Sequence, residues 1–201
     1  MRIVLIGPPA AGKGTQAGRI VERFGGVHVA TGDILRSNAE RGTGLGRTAS
    51  RYMDRGDLVP DEVMIDMVLE RVAEDDLDGG FVLDGFPRTV PQAEALDRRL
   101  AELGRPLDAV VSLEIDEDEL RQRLARRARE QDRVEDEDPD AIRRRLDLFN
   151  RETGALLDYY DARGLLVRID AKGEPDEVTE RLAGALEARG GHGRPSVRDR
   201  S

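Results

Sequence analysis

A glycine-rich segment directly after an apolar run constrains this chain more than any other feature. Residues 7–16 have the sequence GPPAAGKGTQ, the apolar run 3–6 precedes them, and residues 17–24 predict a helix. In such a strand, turn and helix, successive backbone N–H groups and a helix N-terminus surround one concavity, which favours an anion. Lys13 adds a full positive charge at this place. The segment therefore predicts a phosphate-binding loop.

The identity of the charged residue in this loop supports the prediction, although one neighbour departs from the general pattern. The usual loop has Ser or Thr directly after its Lys, whereas here Gly14 follows and Thr15 comes next. Among 32 Lys and Arg residues only Lys13 and Lys172 are Lys. A Lys in so Arg-rich a chain indicates a position that requires a compact point charge. The alternative is an ordinary glycine turn after a strand.

Composition limits the classes of protein to which the chain can belong. A length of 201 residues suits one domain, and the absence of cysteine excludes disulfides and cysteine-based zinc sites. A net charge of −9 and 3% aromatic residues argue against a general nucleic-acid binder. No apolar run approaches the ~20 residues that span a bilayer, and the chain begins without a signal peptide. We expect a cytoplasmic protein with no membrane partner.

Short apolar strands alternate with helices along most of the chain. Strands are predicted at 27–30, 81–84, 109–114 and 165–169, in addition to the one before the glycine-rich segment. This alternation predicts an α/β fold with three layers, a parallel sheet with helices on both faces, and the phosphate-binding loop indicates the P-loop NTPase type. Residues 31–60 predict helices but no strand, which indicates a helical insertion.

Several charged residues follow predicted strands and should meet at one edge of the sheet. Asp84 ends a buried strand and could hold Mg²⁺, directly or through water, or else cap a turn. Arg88 lies in the loop beyond it, and ligands in such folds bind beyond the carboxyl ends of the strands. Arg123 and Arg127 share one face of a predicted helix. Several cations and no strong base suit phosphoryl transfer, and His28, in a strand, is predicted to be structural.

Four motifs together resemble the adenylate kinases, in their short-lid form within the nucleoside monophosphate kinase family. They are GPPAAGKGTQ at 7–16, TGDILR at 31–36, DLVPDE at 57–62 and LDGFPRT at 83–89 with Gln92, in matching order and spacing over residues 1–188. The resemblance implies transfer of a phosphoryl group from MgATP to AMP, giving two ADP, by a monomeric enzyme. Mg²⁺ is the implied cofactor, and the metal residue is Asp84, through water.

The resemblance also implies a role for each matching position. ATP would be bound by Ala10, Ala11, Gly12, Lys13, Gly14, Thr15, Arg127 and Gly173. AMP would be bound by Thr31, Arg36, Asp57, Leu58, Val59, Gly85, Phe86, Pro87, Arg88, Gln92, Arg133 and Arg145. The implied catalytic residues are Lys13, Arg88, Arg123, Arg127, Arg133 and Arg145.

The implied domain organisation divides the chain at its predicted insertions. The core would comprise residues 1–30, 61–127 and 139–188. Residues 31–60 would form the mobile AMP-binding segment, 128–138 a short lid, and 189–201 a disordered tail.

Three departures from the family pattern and two alternatives remain at this stage. Ala10 occupies a loop position that is usually Gly, the lid is short, and residues 134–139 are unusually acidic, which affects the placement of Arg133. Thr31 and Gln92 favour AMP, since the UMP/CMP kinase relatives tend to carry Ala and Asn there. The alternatives are another nucleoside monophosphate kinase and a non-catalytic nucleotide-binding regulator on the same fold.

Overall fold

The computed structural model describes the backbone of residues 1–53, 59–131 and 139–190, and the side chains in these ranges other than those of residues 53, 125–131, 139–145, 148 and 190. Its elements are β1 (Arg2–Ile6), α1 (Lys13–Phe24), β2 (Val27–Ala30), α2 (Thr31–Glu40), α3 (Gly44–Met53), α4 (Asp61–Arg71), β3 (Phe81–Asp84), α5 (Val90–Glu102), β4 (Ala109–Glu114), α6 (Glu117–Gln131), α7 (Pro139–Asp161), β5 (Leu166–Asp170) and α8 (Pro175–Gly190). A 3₁₀ helix, Asp75–Leu77, precedes β3.

The five strands form one parallel sheet in the order β2-β3-β1-β4-β5, which confirms the predicted fold class. The central strand is β1, which pairs with β3 on one side and with β4 on the other. After β1, the chain therefore forms β2 and β3 on one side of this strand and then β4 and β5 on its other side. In an open parallel sheet, the crevice at such a switch point, beyond the carboxyl ends of the strands, is where ligands bind.

Alternating side chains of β1 divide the core into two layers. Ile3 and Leu5 pack in one cluster with residues of α1 and α8, while Val4 and Ile6 pack in the other with residues of α4, α5 and α7. All four are at most 5% exposed. A strand covered on both faces needs a continuous apolar run, and this is why 3–6 is entirely apolar. The predicted three-layer arrangement is confirmed.

Some predicted segments are described only in part. Helix α6 extends to Gln131 and α8 extends to Gly190, so both enter segments that were predicted as the lid and the tail. Residues 54–58, 132–138 and 191–201 lie outside the described residues, as do Asp57, Leu58 and Arg133 among the predicted site residues. None of the helices in the described ranges combines the length and the apolar content that a membrane span requires.

A half-buried carboxyl group joins α5 to the end of α7. The hydroxyl of Tyr159 donates a hydrogen bond to Oδ2 of Asp97 at 3.0 Å, and the Arg163 guanidinium carbon lies 3.4 Å from the centroid of the Tyr159 ring. Burial is the main reason why the pKa of Asp97 is raised. Burial and the bond to Asp97 also raise the pKa of Tyr159 to about 12.

The raised pKa of Asp97 predicts a pH-dependent stability that one substitution can isolate. The folded protein binds the Asp97 proton more tightly than the unfolded chain does, so the ionised carboxylate lowers the free energy of unfolding at neutral pH. This decrease in the free energy of unfolding disappears as the pH falls below the ordinary aspartate pKa of about 4, where Asp97 is protonated in both states. Measured by urea denaturation, the free energy of unfolding of Asp97→Asn relative to the wild type should increase from acid to neutral pH. The same difference at both pH values would contradict the prediction.

Candidate functional site

A cleft of about 830 Å³ opens at the carboxyl edge of the sheet. It is bordered by the β1–α1 turn, the start of α2, the end of β3, one face of α6 and the segment before α8. The predicted site residues that line it are Ala10, Ala11, Gly12, Lys13, Gly14, Thr15, Thr31, Arg36, Asp84, Gly85, Arg88, Arg123 and Gly173. The structure thus brings together both predicted nucleotide-binding sides and the predicted metal residue.

The turn between β1 and α1 has the left-handed backbone of a phosphate-binding loop. Gly12 has a φ of 91° and precedes α1, and as a glycine it supplies no side-chain cap to the first N–H groups of the helix. Ala10 has a φ of 63° and is the one non-glycine residue with positive φ in the described ranges. Its N–H and that of Ala11 remain in the loop, where the Ala11 N–H donates to the carbonyl of Pro8 at 3.1 Å.

The ammonium group of Lys13 lies across this loop. Its Nζ donates to the carbonyl oxygens of Gly7 at 2.8 Å and of Pro8 at 3.0 Å. Both acceptors belong to the loop itself, so the loop holds the charge at the cleft wall. A compact ammonium with three donors can make two such bonds and still direct a third N–H elsewhere.

Asp84 places a carboxylate next to the N-terminus of α1. Its Oδ2 is 3.7 Å from the position that a Cβ on Gly14 would occupy, and its side chain is 16% exposed. The described residues contain no group of three or more His, Cys, Asp or Glu residues that could enclose a metal. A single carboxylate facing a phosphate loop suits Mg²⁺, which is commonly held by one or two carboxylates, substrate phosphates and water. Asp84 and this site therefore fit the implied ion.

On the predicted AMP side, a glycine allows β3 and α2 to approach closely. Gly85 has a φ of 91°, and a Cβ there would lie 2.5 Å from Oγ1 of Thr31, which excludes any larger residue. The Nε of Arg88 donates to the Gly85 carbonyl at 2.9 Å. Arg36 is exposed and forms an ion pair with Asp33 in the first turn of α2.

On the predicted ATP side, Arg123 joins α6 to the segment that follows β5. Its Nε donates to Oε1 of Glu119 at 2.8 Å, and its Nη2 donates to the carbonyls of Ala171 at 2.8 Å and Gly173 at 3.0 Å. Gly173 has a φ of 97°, and a Cβ there would lie 2.5 Å from Oε2 of Glu177. The backbone turn at Gly173 therefore depends on glycine.

The structure adds residues that the sequence did not single out. Gln16, 2% exposed, donates from Nε2 to the Pro175 carbonyl at 3.0 Å and accepts from the Thr179 hydroxyl at 2.9 Å, so it ties the phosphate loop to the start of α8. Its spacing of four from buried Ile20 would have predicted an inward side chain.

His28, which was predicted to be structural, also lines the cleft, with Nε2 3.9 Å from Oδ2 of Asp84. Asp33 and Glu119 are further lining residues.

Other predicted site residues lie away from the cleft lining or outside the description. Val59, Phe86, Pro87 and Gln92 do not line the cleft, and Phe86 is 2% and Gln92 3% exposed. Arg127 and Arg145 lie on α6 and α7, but their side chains are outside the described residues. The roles predicted for Arg127 and Arg145 therefore remain predictions.

The fold and the cleft define a class of protein before any comparison is made. A central strand of a parallel sheet leads into a left-handed, glycine-rich turn with a Lys at the start of a helix, and the neighbouring strand ends in a carboxylate. This is the arrangement of a P-loop protein that binds nucleoside phosphates.

Comparison with known proteins identifies the family within that class. The family model described as adenylate kinase matches residues 5–165. An adenylate kinase of Thermobifida fusca is 52% identical over 94% of this chain and 100% of its own length, and one of Kocuria rhizophila is 52% identical over 92% and 98%. One of Stenotrophomonas maltophilia is 47% identical over 92% and 99%. The chain belongs to the adenylate kinase family.

The positive φ of Ala10 predicts a stabilising substitution within the phosphate loop. An L residue in the left-handed region costs roughly 1–2 kcal/mol, and glycine removes this cost while it adds conformational entropy to the unfolded chain. We expect Ala10→Gly to raise the free energy of unfolding by about 0.5–1 kcal/mol in urea denaturation.

The adjacent alanine provides the matched control for this substitution. Ala11 is 2% exposed and its φ is not positive, so Ala11→Gly should lower the free energy of unfolding by about 1 kcal/mol. A loss of stability in Ala10→Gly of the same size as in Ala11→Gly would show that φ at residue 10 carries no strain.

Proposed function

We propose that this protein catalyses the reversible transfer of the terminal phosphoryl group of MgATP to AMP, giving two molecules of ADP, as a cytoplasmic monomer. The observation that carries the proposal is the convergence of Lys13, Asp84, Arg88 and Arg123 on one cleft, in a chain of net charge −9. Cations concentrated in one place on an acidic protein favour small, highly anionic substrates over a polyanion that covers a surface.

The donor nucleotide would occupy the side of the cleft formed by the β1–α1 turn and the segment before α8. The N–H groups of residues 10–15 and the start of α1 would bind its phosphates, with Lys13 supplying charge. The backbone near Gly173 would contact its adenine. Arg123, which already donates to the Gly173 carbonyl, would lie between this turn and the phosphates. Arg127, four residues further along α6, would share that face.

The acceptor nucleotide would occupy the side formed by α2 and the loop after β3. Arg36 and Arg88 line this part of the cleft and would bind the phosphate of AMP. Thr31 and Gln92 would contact the base. Residues 57–59 and 85–87 would complete the pocket around it.

Phosphoryl transfer between these nucleotides requires charge stabilisation more than proton transfer. The attacking oxygen belongs to the phosphate of AMP and is already anionic, so no strong general base is needed. Charge on the transferring group spreads over its equatorial oxygens, and Lys13, Arg88 and Arg123, with the proposed Arg133 and Arg145, would stabilise it. Mg²⁺, near Asp84, would neutralise charge on the donor phosphates.

Water must be excluded, because the same site could otherwise transfer the phosphoryl group to water. We propose that residues 31–60 and 128–138 close over the bound nucleotides. Helices α2 and α3 carry the first of these segments, and Gly42, with a φ of 59°, lies in the turn between them.

Lys13 is the substitution that tests the donor side. We expect Lys13→Ala to lower kcat by at least about a hundredfold, because it removes the ammonium that lies against the phosphate loop. ADP formation from ATP, AMP and Mg²⁺ gives the rate, and thermal unfolding confirms the fold. Arg99→Ala removes a cation that pairs with Glu102 on α5, away from the cleft, and should retain wild-type turnover. Full activity of Lys13→Ala would refute the donor assignment.

Acceptor preference separates the proposal from its two alternatives. With MgATP as donor, we expect AMP to be phosphorylated much faster than CMP or UMP, measured as kcat/KM for each acceptor. Equal rates with UMP and AMP would favour another nucleoside monophosphate kinase. Binding of two nucleotides without formation of ADP would favour a non-catalytic regulator.

A further inference from the structure

The amide of Gln92 is held at both ends by fixed partners. Its Oε1 accepts the backbone N–H of Arg88 at 2.8 Å, and its Nε2 donates to Oδ1 of Asp61 at 2.8 Å. Gln92 is 3% exposed, so water has little access to its amide, whereas Asp61 itself is exposed. Gln92 is on α5, whereas Asp61 is the first residue of α4.

These partners determine which way the amide faces. A backbone N–H only donates and a carboxylate only accepts, so a rotated amide would place oxygen against the Asp61 carboxylate and NH₂ against the Arg88 N–H. Unlike most amides, this one has a single acceptable orientation. One lone pair on Oε1 and one N–H on Nε2 remain after the two bonds are made. Gln92 therefore retains one acceptor and one donor of defined positions.

The carboxylate that sets this orientation is itself held on its other side. Oδ2 of Asp61 accepts from the hydroxyl of Thr89 at 3.4 Å, and Thr89 is the N-cap of α5. Both oxygens of Asp61 thus contact the first turn of α5. Pro60, which precedes it, is the last residue of the predicted AMP-binding segment.

We propose that Asp61 is a specificity-positioning residue that sets the polarity of Gln92 toward the acceptor base. The inference rests on the proposed function, in which Gln92, buried and behind the cleft lining in this structure, contacts the base when AMP binds. A 6-aminopurine presents a donor, its amino group, beside an acceptor, its ring N1, and this edge complements the acceptor and donor left on Gln92. A 6-oxopurine presents the reverse pattern and would require the amide to rotate, which the Asp61 carboxylate and the Arg88 N–H both oppose.

The test compares AMP with IMP, which differ at position 6 of the purine and in the proton on N1. Asp61→Asn keeps the shape of the side chain but can either donate or accept, so it removes the constraint from Asp61 and leaves the one from the Arg88 N–H. We expect kcat/KM for AMP divided by kcat/KM for IMP to fall about tenfold in Asp61→Asn, through the two acceptor KM values, while kcat and the KM for ATP stay close to wild type. Calorimetric titration with AMP and with IMP should show the same change in relative Kd.

Two further variants distinguish this role from a structural one. Glu62→Gln removes a carboxylate from the same first turn of α4, where both Glu62 and Asp61 are exposed, and should keep the wild-type ratio of AMP to IMP. Gln92→Leu should raise the KM for AMP and abolish the discrimination.

Different outcomes would refute the role of Asp61, the role of Gln92 and the proposed reaction. An unchanged AMP to IMP ratio in Asp61→Asn, with a raised AMP KM in Gln92→Leu, would overturn the positioning role alone. An equal loss toward AMP, IMP and ATP together with a lower melting temperature would assign Asp61 a purely structural role. No effect of Gln92→Leu on AMP would refute Gln92 as the base contact, and absence of ADP formation by the wild type would refute the proposed function.

Discussion

The left-handed turn between β1 and α1 determines where the other groups in the cleft must lie. The central strand delivers the turn to the carboxyl edge of the sheet, and β3, its neighbour, ends at the same edge with Asp84. Parallel pairing therefore brings a carboxylate beside a helix N-terminus. The turn requires positive φ at residues 10 and 12. Residue 12 is a glycine, which adopts this conformation readily, whereas residue 10 is a strained alanine.

Close backbone approaches hold the remaining cleft walls against this turn. Gly85 brings the loop after β3 against Thr31, and Gly173 brings the segment after β5 against Glu177. Gln16 then joins α1 to the start of α8 through a buried amide. The cleft is thus positioned by small residues and a few buried hydrogen bonds, while its charged side chains remain partly exposed on the surface that these contacts create.

Local sequence patterns predicted the fold and much of the cleft, because both depend on neighbouring residues. The apolar run 3–6 and the motif that follows indicated the strand, the turn and the helix, and the rule for strand ends placed Asp84 and Arg88 in the cleft. Contacts between distant segments were beyond such reasoning. The bond from Gln92 to Asp61 spans two helices, and that from Arg123 to Gly173 joins α6 to the segment after β5. His28 was predicted to be structural because a single residue in a strand does not indicate the partner across the sheet.

The cations of the cleft already have oxygen partners within the protein. Lys13 contacts loop carbonyls, Arg36 contacts Asp33, Arg88 contacts the Gly85 carbonyl, and Arg123 contacts Glu119. Association with a phosphate is therefore an exchange of one oxygen for another, and its net free energy is smaller than the strength of the new contacts alone. Because affinity differences are expressed mostly in the dissociation rate, we expect this exchange to shorten nucleotide residence times. A site built in this way can release its products readily.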